Sequence, residues 1–182
     1  MNQHLLLRIG NEDDIDDLTE LLNTCYRSKA GWTNEADIFA GERVSVATMQ
    51  NLLREPQRYC FVFDNFGESD EAGALLGCII VSLDLSQDTP TAIVEMAAVS
   101  PAVQQRGIGG EMLQAVETFA FEHLKQGRIQ MSIVEGRQEL IAHYQKRGYQ
   151  LTGNSRLLNA ADAYGEPIAN RTQLIELQKE LA

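Results

Sequence analysis

The sequence predicts a mixed α/β fold with about seven strands flanked by about four helices. Three observations carry that expectation. Apolar segments at 58–65, 75–85 and 92–99 follow one another as strands. A strand and two helical stretches precede them, and strand and helix patterns alternate after them. A glycine-rich turn joins the last apolar segment to a long helix. Such an order gives a mixed sheet with helices on both sides.

In chain order, residues 5–9 form a short strand. Asn11 can cap the following helix, with Asp13, Asp14 and Asp16 in its first turns, where negative charge suits the helix dipole. Ile15, Leu18, Leu22 and Cys25 recur at helical spacing and carry that helix to about Arg27. Residues 28–41 are mixed and loop-rich, and 44–54 form a second, shorter helix. A hairpin connection at 65–71 joins the strands at 58–65 and 75–85. Ile108, Met112, Val116, Phe119 and Leu124 place the long helix, which Gln126 and Gly127 end. A strand at 129–134 and a helix at 139–146 follow, with Gly148 as the left-handed residue past the helix end. A strand begins at Tyr149, a loop spans 159–170, and 172–177 form the last strand, which could support a homodimer. No repeat, low-complexity tract or linker interrupts the chain, so 1–182 reads as one domain.

The bulk composition excludes several classes. A net charge of −11 argues against nucleic acid, whose phosphates need clustered Lys and Arg. It suits a cationic small molecule or peptide, and equally describes many acidic proteins with no such partner. No apolar run approaches the ~20 residues of a membrane helix, and the first residues carry no secretory pattern. Cys25, Cys60 and Cys78 are odd in number and lack metal-type spacing, so they are expected as core thiols in a reducing, cytoplasmic setting. No metal is implied.

Residues 99–110, Val-Ser-Pro-Ala-Val-Gln-Gln-Arg-Gly-Ile-Gly-Gly, are the most informative stretch. An apolar run, a proline, a polar turn and closely spaced glycines lead into a helix. That order builds a cradle of backbone N–H groups at a helix N-terminus, where phosphate binds favourably. The dinucleotide fingerprint fails, because its third glycine position is Met112, and no Walker Gly-Lys-Ser/Thr triplet occurs. A third pattern, Gln/Arg-x-x-Gly-x-Gly/Ala after a strand, is filled by Gln104, Gly107 and Gly109.

Residues 99–113 resemble the acetyl-coenzyme A motif of the GNAT (Gcn5-related) N-acetyltransferase superfamily. The block from Arg137 to Tyr149 resembles the family's downstream helix, usually aromatic-Tyr-x-x-x-Gly-Phe/Tyr. The element order fits over roughly 5–178. The resemblance implies a single acyltransferase domain that uses acetyl-coenzyme A as co-substrate. It places the diphosphate on the amides of Gln105, Arg106, Gly107, Ile108, Gly109 and Gly110, with Gln104 opening the loop. It lays the pantetheine along 96–99, chiefly Ala98 and Val99, like an added strand. Arg106 either adds charge near a phosphate or is a solvated side chain at a helix start. Arg137 stands where many relatives have Asn, near the cofactor.

Acetyl transfer to an amine must deprotonate the amine, polarise the thioester and protonate the departing thiolate. Tyr144 matches the tyrosine many relatives place near the sulfur, and a phenol with a reference pKa of about 10 is protonated at neutral pH. Otherwise it is a core aromatic. Glu95 is the candidate base, four residues before Val99 and on the strand face of Ala97 and Val99; otherwise it is an exposed or ion-paired carboxylate. His143 is expected at the rim. Trp32, with Glu35 and Asp37, could hold an ammonium group by ring and carboxylate contacts, or Trp32 anchors a loop. Tyr164 and Glu166 are further candidates for the acceptor pocket. The rival function is a non-catalytic acyl-coenzyme A sensor of the same fold.

Overall fold

Strand β1 (Leu5–Ile9) leads into α1 (Ile15–Arg27) through a single 3-10 turn at Glu12–Asp14. Asn11 caps that turn rather than the helix itself. Its side chain accepts from the N–H of Asp13, and the Asp14 carboxylate accepts the N–H of Asn11 in return. The computed structural model describes residues 5–29, 31–65, 73–158, 165–168 and 172–182. Along them follow β2 (Phe39–Ala40), α2 (Val46–Arg54), β3 (Arg58–Asn65), β4 (Leu75–Asp84) and β5 (Thr91–Val99). Then come α3 (Ile108–Glu122), β6 (Arg128–Val134), α4 (Gln138–Gln145), β7 (Gln150–Leu157), β8 (Glu166–Pro167) and β9 (Gln173–Glu180).

Seven strands form one mixed sheet in the order β1-β3-β4-β5-β6-β9-β7. Neighbours are antiparallel except β5 and β6, which run parallel. The expected hairpin appears as the β3–β4 pair, although its connection at 66–71 lies outside the described residues. The loops expected at 28–41 and 159–170 each supply a two-residue strand, β2 and β8, which pair with each other. The long helix α3 stops at Glu122, short of Gln126 and Gly127. The last strand corrects one expectation: β9 lies between β6 and β7, so it offers no free edge for a second copy.

The sheet buries an apolar cluster on each face. On the α3 side, Phe61, Ile79, Val81, Ala92 and Val94 pack against Met112, Leu113 and Val116. On the α1 side, Val62, Cys78, Ile80, Met96 and Ala98 pack against Leu18, Leu22 and Met49. Each fully buried aliphatic or aromatic side chain contributes roughly 1.5–3 kcal/mol relative to exposure. The three cysteines are free and buried. Burial pushes the thiols of Cys25 and Cys60 up to about 11 and about 12, and that of Cys78 upward as well.

One irregularity governs the centre of the sheet. Val81 pairs with Val94 and Ile80 with Met96, so Glu95 faces no partner on β4. It is the extra residue of a β-bulge. Ala92 and Val94 therefore face α3, whereas Met96 and Ala98 face α1. Strand β5 pairs with β6 only from Thr91 to Val94. The two strands part where the bulge begins, and a wedge opens beside Glu95 to Val99.

Candidate active site

The wedge is bounded at its wide end by the glycine turn. Gln105 and Gly107 hold positive φ angles of 65° and 84°, which swing the chain from β5 into α3. The left-handed position suits glycine. The first amides of α3, those of Ile108 and Gly109, precede its first hydrogen bonds, which Gly110 and Glu111 make to the Gly107 carbonyl. A Cβ added at Gly109 would come within 3.3 Å of Val99 Cγ2, so glycine lets the helix lie close on the strand.

A cavity of about 310 Å³ occupies the wedge between β5, the turn and α4. Of the residues predicted for the coenzyme, Ala98, Val99, Gln104, Gln105 and the run from Gly107 to Gly110 line it. Arg106 does not, and it is exposed. Arg147 was not foreseen. Its guanidinium lies against Gly110, with Nη2 2.5 Å from where a Cβ would stand, and it lines the same cavity. A cation at the positive end of a helix is unfavourable on its own and favourable with an anion between them. The Lys146-Arg147 pair near the end of α4 reads from sequence only as ordinary dipole pairing, which is why it gave no signal.

The polar edge of β5 faces the wedge at alternate residues. The N–H of Ser100 turns to Leu76 of β4 at 2.8 Å, so Ala97 and Val99 turn the other way. Side chains occupy the groups that β6 no longer pairs. Gln104 Nε2 donates to the Val99 carbonyl at 2.8 Å, and Cys25 Sγ lies 3.2 Å from the same oxygen. The Tyr26 hydroxyl donates to the Ala97 carbonyl at 2.9 Å and accepts the Ala97 N–H at 3.1 Å. Tyr26 belongs to the apolar stripe of α1, and sequence spacing alone marks it as core.

A second, smaller cavity of about 50 Å³ continues past Ala97, bordered by Tyr26, Glu35, Arg43, Glu95 and Tyr144. Thr33, Ala97 and Tyr144 line both cavities. Tyr144 thus stands at the junction. Its ring meets those of His143 and Tyr149 edge-on, at 5.4 and 5.7 Å. Burial pushes its phenol above the ordinary value, so the hydroxyl keeps its proton at neutral pH.

Glu95 borders the small cavity but departs from expectation. The bulge removes it from the face of Ala97 and Val99, and its carboxylate accepts from Arg58 Nη2 at 2.8 Å. Arg58 also pairs with Glu55. Trp32 and Glu35, expected to hold an ammonium group together, have different surroundings. Trp32 lies 4.9 Å from the His143 ring, while Glu35 is buried with Arg27 at 3.5 Å. Desolvation raises the Glu35 carboxyl, and Arg43, Arg27 and Arg137 partly oppose that rise. A carboxylate facing guanidinium groups offers little field to a second cation. Asp37 is exposed, as is Glu166, and Tyr164 lies outside the described residues.

Arg137 holds a loop instead of lining either cavity. It donates to the carbonyls of Asn34 and Trp32 at 2.8 and 3.0 Å and pairs with Glu139. Its guanidinium is spent on the segment covering the wedge. His143 does line the larger cavity, beneath Trp32. Burial, with Arg147 and Lys146 nearby, holds its imidazole below the usual histidine value. Arg43, buried over the Tyr26 ring at 4.7 Å, is a further residue the sequence did not single out. Among the described residues, no helix is long and apolar enough to cross a membrane.

Comparison with known proteins fits this arrangement. An uncharacterized protein of Bacillus subtilis (strain 168), YdhI, is 34% identical over 91 residues, 50% of this chain. The chain spans about half the length of that curated relative, at 52%. An acetyltransferase of the GNAT family from Streptococcus pneumoniae superposes with a TM-score of 0.67 at 15% identity, covering 98% of this chain and 100% of that one. The NatC complex bound to Gag peptide and CoA does so with a TM-score of 0.66 at 14% identity, covering 98% and 99%. At those identities the likeness concerns the fold alone. The model of the Acetyltransferase (GNAT) family matches residues 15–149, and the chain belongs to that family.

Proposed function

We propose that the protein is an N-acetyltransferase that moves the acetyl group of acetyl-coenzyme A to a primary amine by direct attack in a ternary complex. The observation that carries this reading is the junction at Ala97 and Tyr144, where two cavities meet. The larger cavity takes the donor. Its diphosphate lies on the amides from Gln105 to Gly110 with Arg147 beside them, and its pantetheine runs along Ala98 and Val99. The family and the CoA-bound NatC complex support coenzyme A as the carrier of the donor. The smaller cavity takes the amine.

The steps follow from the groups at the junction. The amine nitrogen attacks the thioester carbonyl carbon, and the carbonyl π pair moves to oxygen. The pair returns, the C–S bond breaks, and Tyr144 gives its proton to the departing thiolate. The amine sheds its own proton towards Glu95, the candidate base, whose pair with Arg58 opens as it accepts. Exchange with solvent then removes the proton from Glu95 and returns one to Tyr144, which closes the cycle.

Release of free thiol from acetyl-coenzyme A, measured with a panel of primary amines, tests the proposal. Amine-dependent release is expected. Tight binding of the coenzyme with no release on any amine would instead favour the sensor reading.

A further inference from the structure

The wedge contains one group that the scheme above leaves unused. Tyr26 reaches from α1 to the open edge of β5, and its hydroxyl touches both backbone groups of Ala97. Ala97 lines both cavities and is the second residue past the bulge, where β6 has already turned away. Asn23 of α1 makes a comparable double contact, but with Val44 and away from β5. Buried hydroxyls hold partners because an unpaired one bears the full cost of its lost hydration. Here the partners are the very groups that an acyl donor laid along β5 must approach.

Resting on the proposed acetyl transfer, we infer that Tyr26 is a catalytic residue whose hydroxyl, with the Ala97 N–H, binds the thioester oxygen as it becomes an oxyanion. In the free protein the hydroxyl donates to the Ala97 carbonyl. When the donor arrives, rotation about the C–O bond of the phenol turns that hydrogen to the thioester oxygen. The Ala97 N–H, released from Tyr26, turns to the same oxygen. As the amine attacks, the carbonyl π pair localises on that oxygen between two donors. No proton leaves Tyr26, and the pair returns to expel the thiolate that Tyr144 protonates.

The surroundings suit a fixed neutral donor. The phenol is buried, and desolvation raises it far above neutrality, so it stays protonated throughout the working range. The Arg43 guanidinium over its ring adds positive potential beside the developing charge. Helix α1 packs on the sheet through Leu18, Leu22 and Cys25, which fixes the reach of the side chain.

The test uses an unreactive ketone analogue of acetyl-coenzyme A, with a methylene between sulfur and carbonyl. Its carbonyl stretching band is read by difference infrared spectroscopy. Bound to the wild-type protein, the band is expected below its position in water, and in Tyr26→Phe it moves back up. A wild-type band at or above the water value overturns the inference, and so does an unmoved band in the variant. Because the wild-type band alone can refute the idea, an unstable variant does not shelter it. Turnover supplies the second reading. Tyr26→Phe is expected to lower kcat by roughly 10²-fold, the scale of one lost oxyanion donor. The KM for acetyl-coenzyme A should stay within about twofold. A loss confined to KM identifies a structural role and overturns the catalytic one. If the wild type acetylates no amine, the proposed function falls, while the infrared band still decides the role of Tyr26.

Discussion

Gln104 donates its side-chain N–H to the carbonyl of Val99 across 2.8 Å. The oxygen of the same amide accepts the backbone N–H of Trp32 at 3.3 Å. One side chain therefore ties the open strand edge to the loop that covers the wedge. A donor that pairs with Val99 must displace Gln104, and Trp32 then loses that hydrogen bond while keeping the one from Arg137.

Trp32 is the single tryptophan of the chain, so its emission reports on that event directly. Coenzyme A titrated into the protein is expected to change the emission in a saturable way. In Gln104→Leu the free protein should already show part of that change, and the titration amplitude should shrink. An emission indifferent to the coenzyme would break the proposed link.

Gly107 has φ +84° and no atom within 4 Å of an added Cβ. A side chain there meets backbone strain, about 1–2 kcal/mol for a left-handed residue, and no steric wall. Gly107→Glu should therefore remain folded with a modest fall in Tm. Its carboxylate would repel the diphosphate, and calorimetry should show coenzyme affinity lowered at least tenfold. Unchanged affinity would move the diphosphate elsewhere.

Arg147 carries a prediction of opposite signs. Its guanidinium faces the positive end of α3 at Gly110. Arg147→Ala should weaken coenzyme binding by about 1.5–3 kcal/mol, the range for a hydrogen bond to a charged group. The Tm of the free protein should hold or rise, because the unfavourable cation is gone. A fall in Tm with unchanged affinity would make Arg147 a structural residue.

The Arg8–Asp14 pair sets a pH dependence. Arg8 lies 2.6 Å from Asp14 and holds its carboxyl below the usual carboxylate value. A depressed native pKa means that the unfolded chain binds the proton first as pH falls. The stabilisation is therefore present above the ordinary aspartate range and fades as pH drops through the lower native value. Asp14→Asn should lose about 1 kcal/mol at pH 7, modest because Arg8 is partly exposed. Urea unfolding at pH 7 and near pH 3 checks this, and the difference from wild type should shrink at the lower pH.

Much of this architecture is legible in the sequence, because strands 58–65, 75–85 and 92–99 and the helices at 15–27 and 108–122 have clear periodicity. The glycine turn is legible because glycine suits the positive φ at Gly107 and the close approach at Gly109. The bulge at Glu95 is not, since neither glycine nor proline marks it and its effect is a change of face. That single inserted residue misdirects the placement of Glu95. The strands β2 and β8, each two residues long, carry no period at all. Tyr26, Arg43 and Arg147 are hidden for another reason: their roles arise from contacts across 71, 52 and 37 positions, which local patterns do not encode.

The proposed acetyl transfer depends on the Tyr144 phenol, which stands where the two cavities meet. The most direct measurement is Tyr144→Phe, with steady-state thiol release and coenzyme A affinity determined on the same preparation. Loss of a general acid predicts a kcat lowered by about 10²-fold or more at unchanged coenzyme Kd. A variant that turns over at the wild-type rate, or that loses rate only in step with affinity, would contradict it.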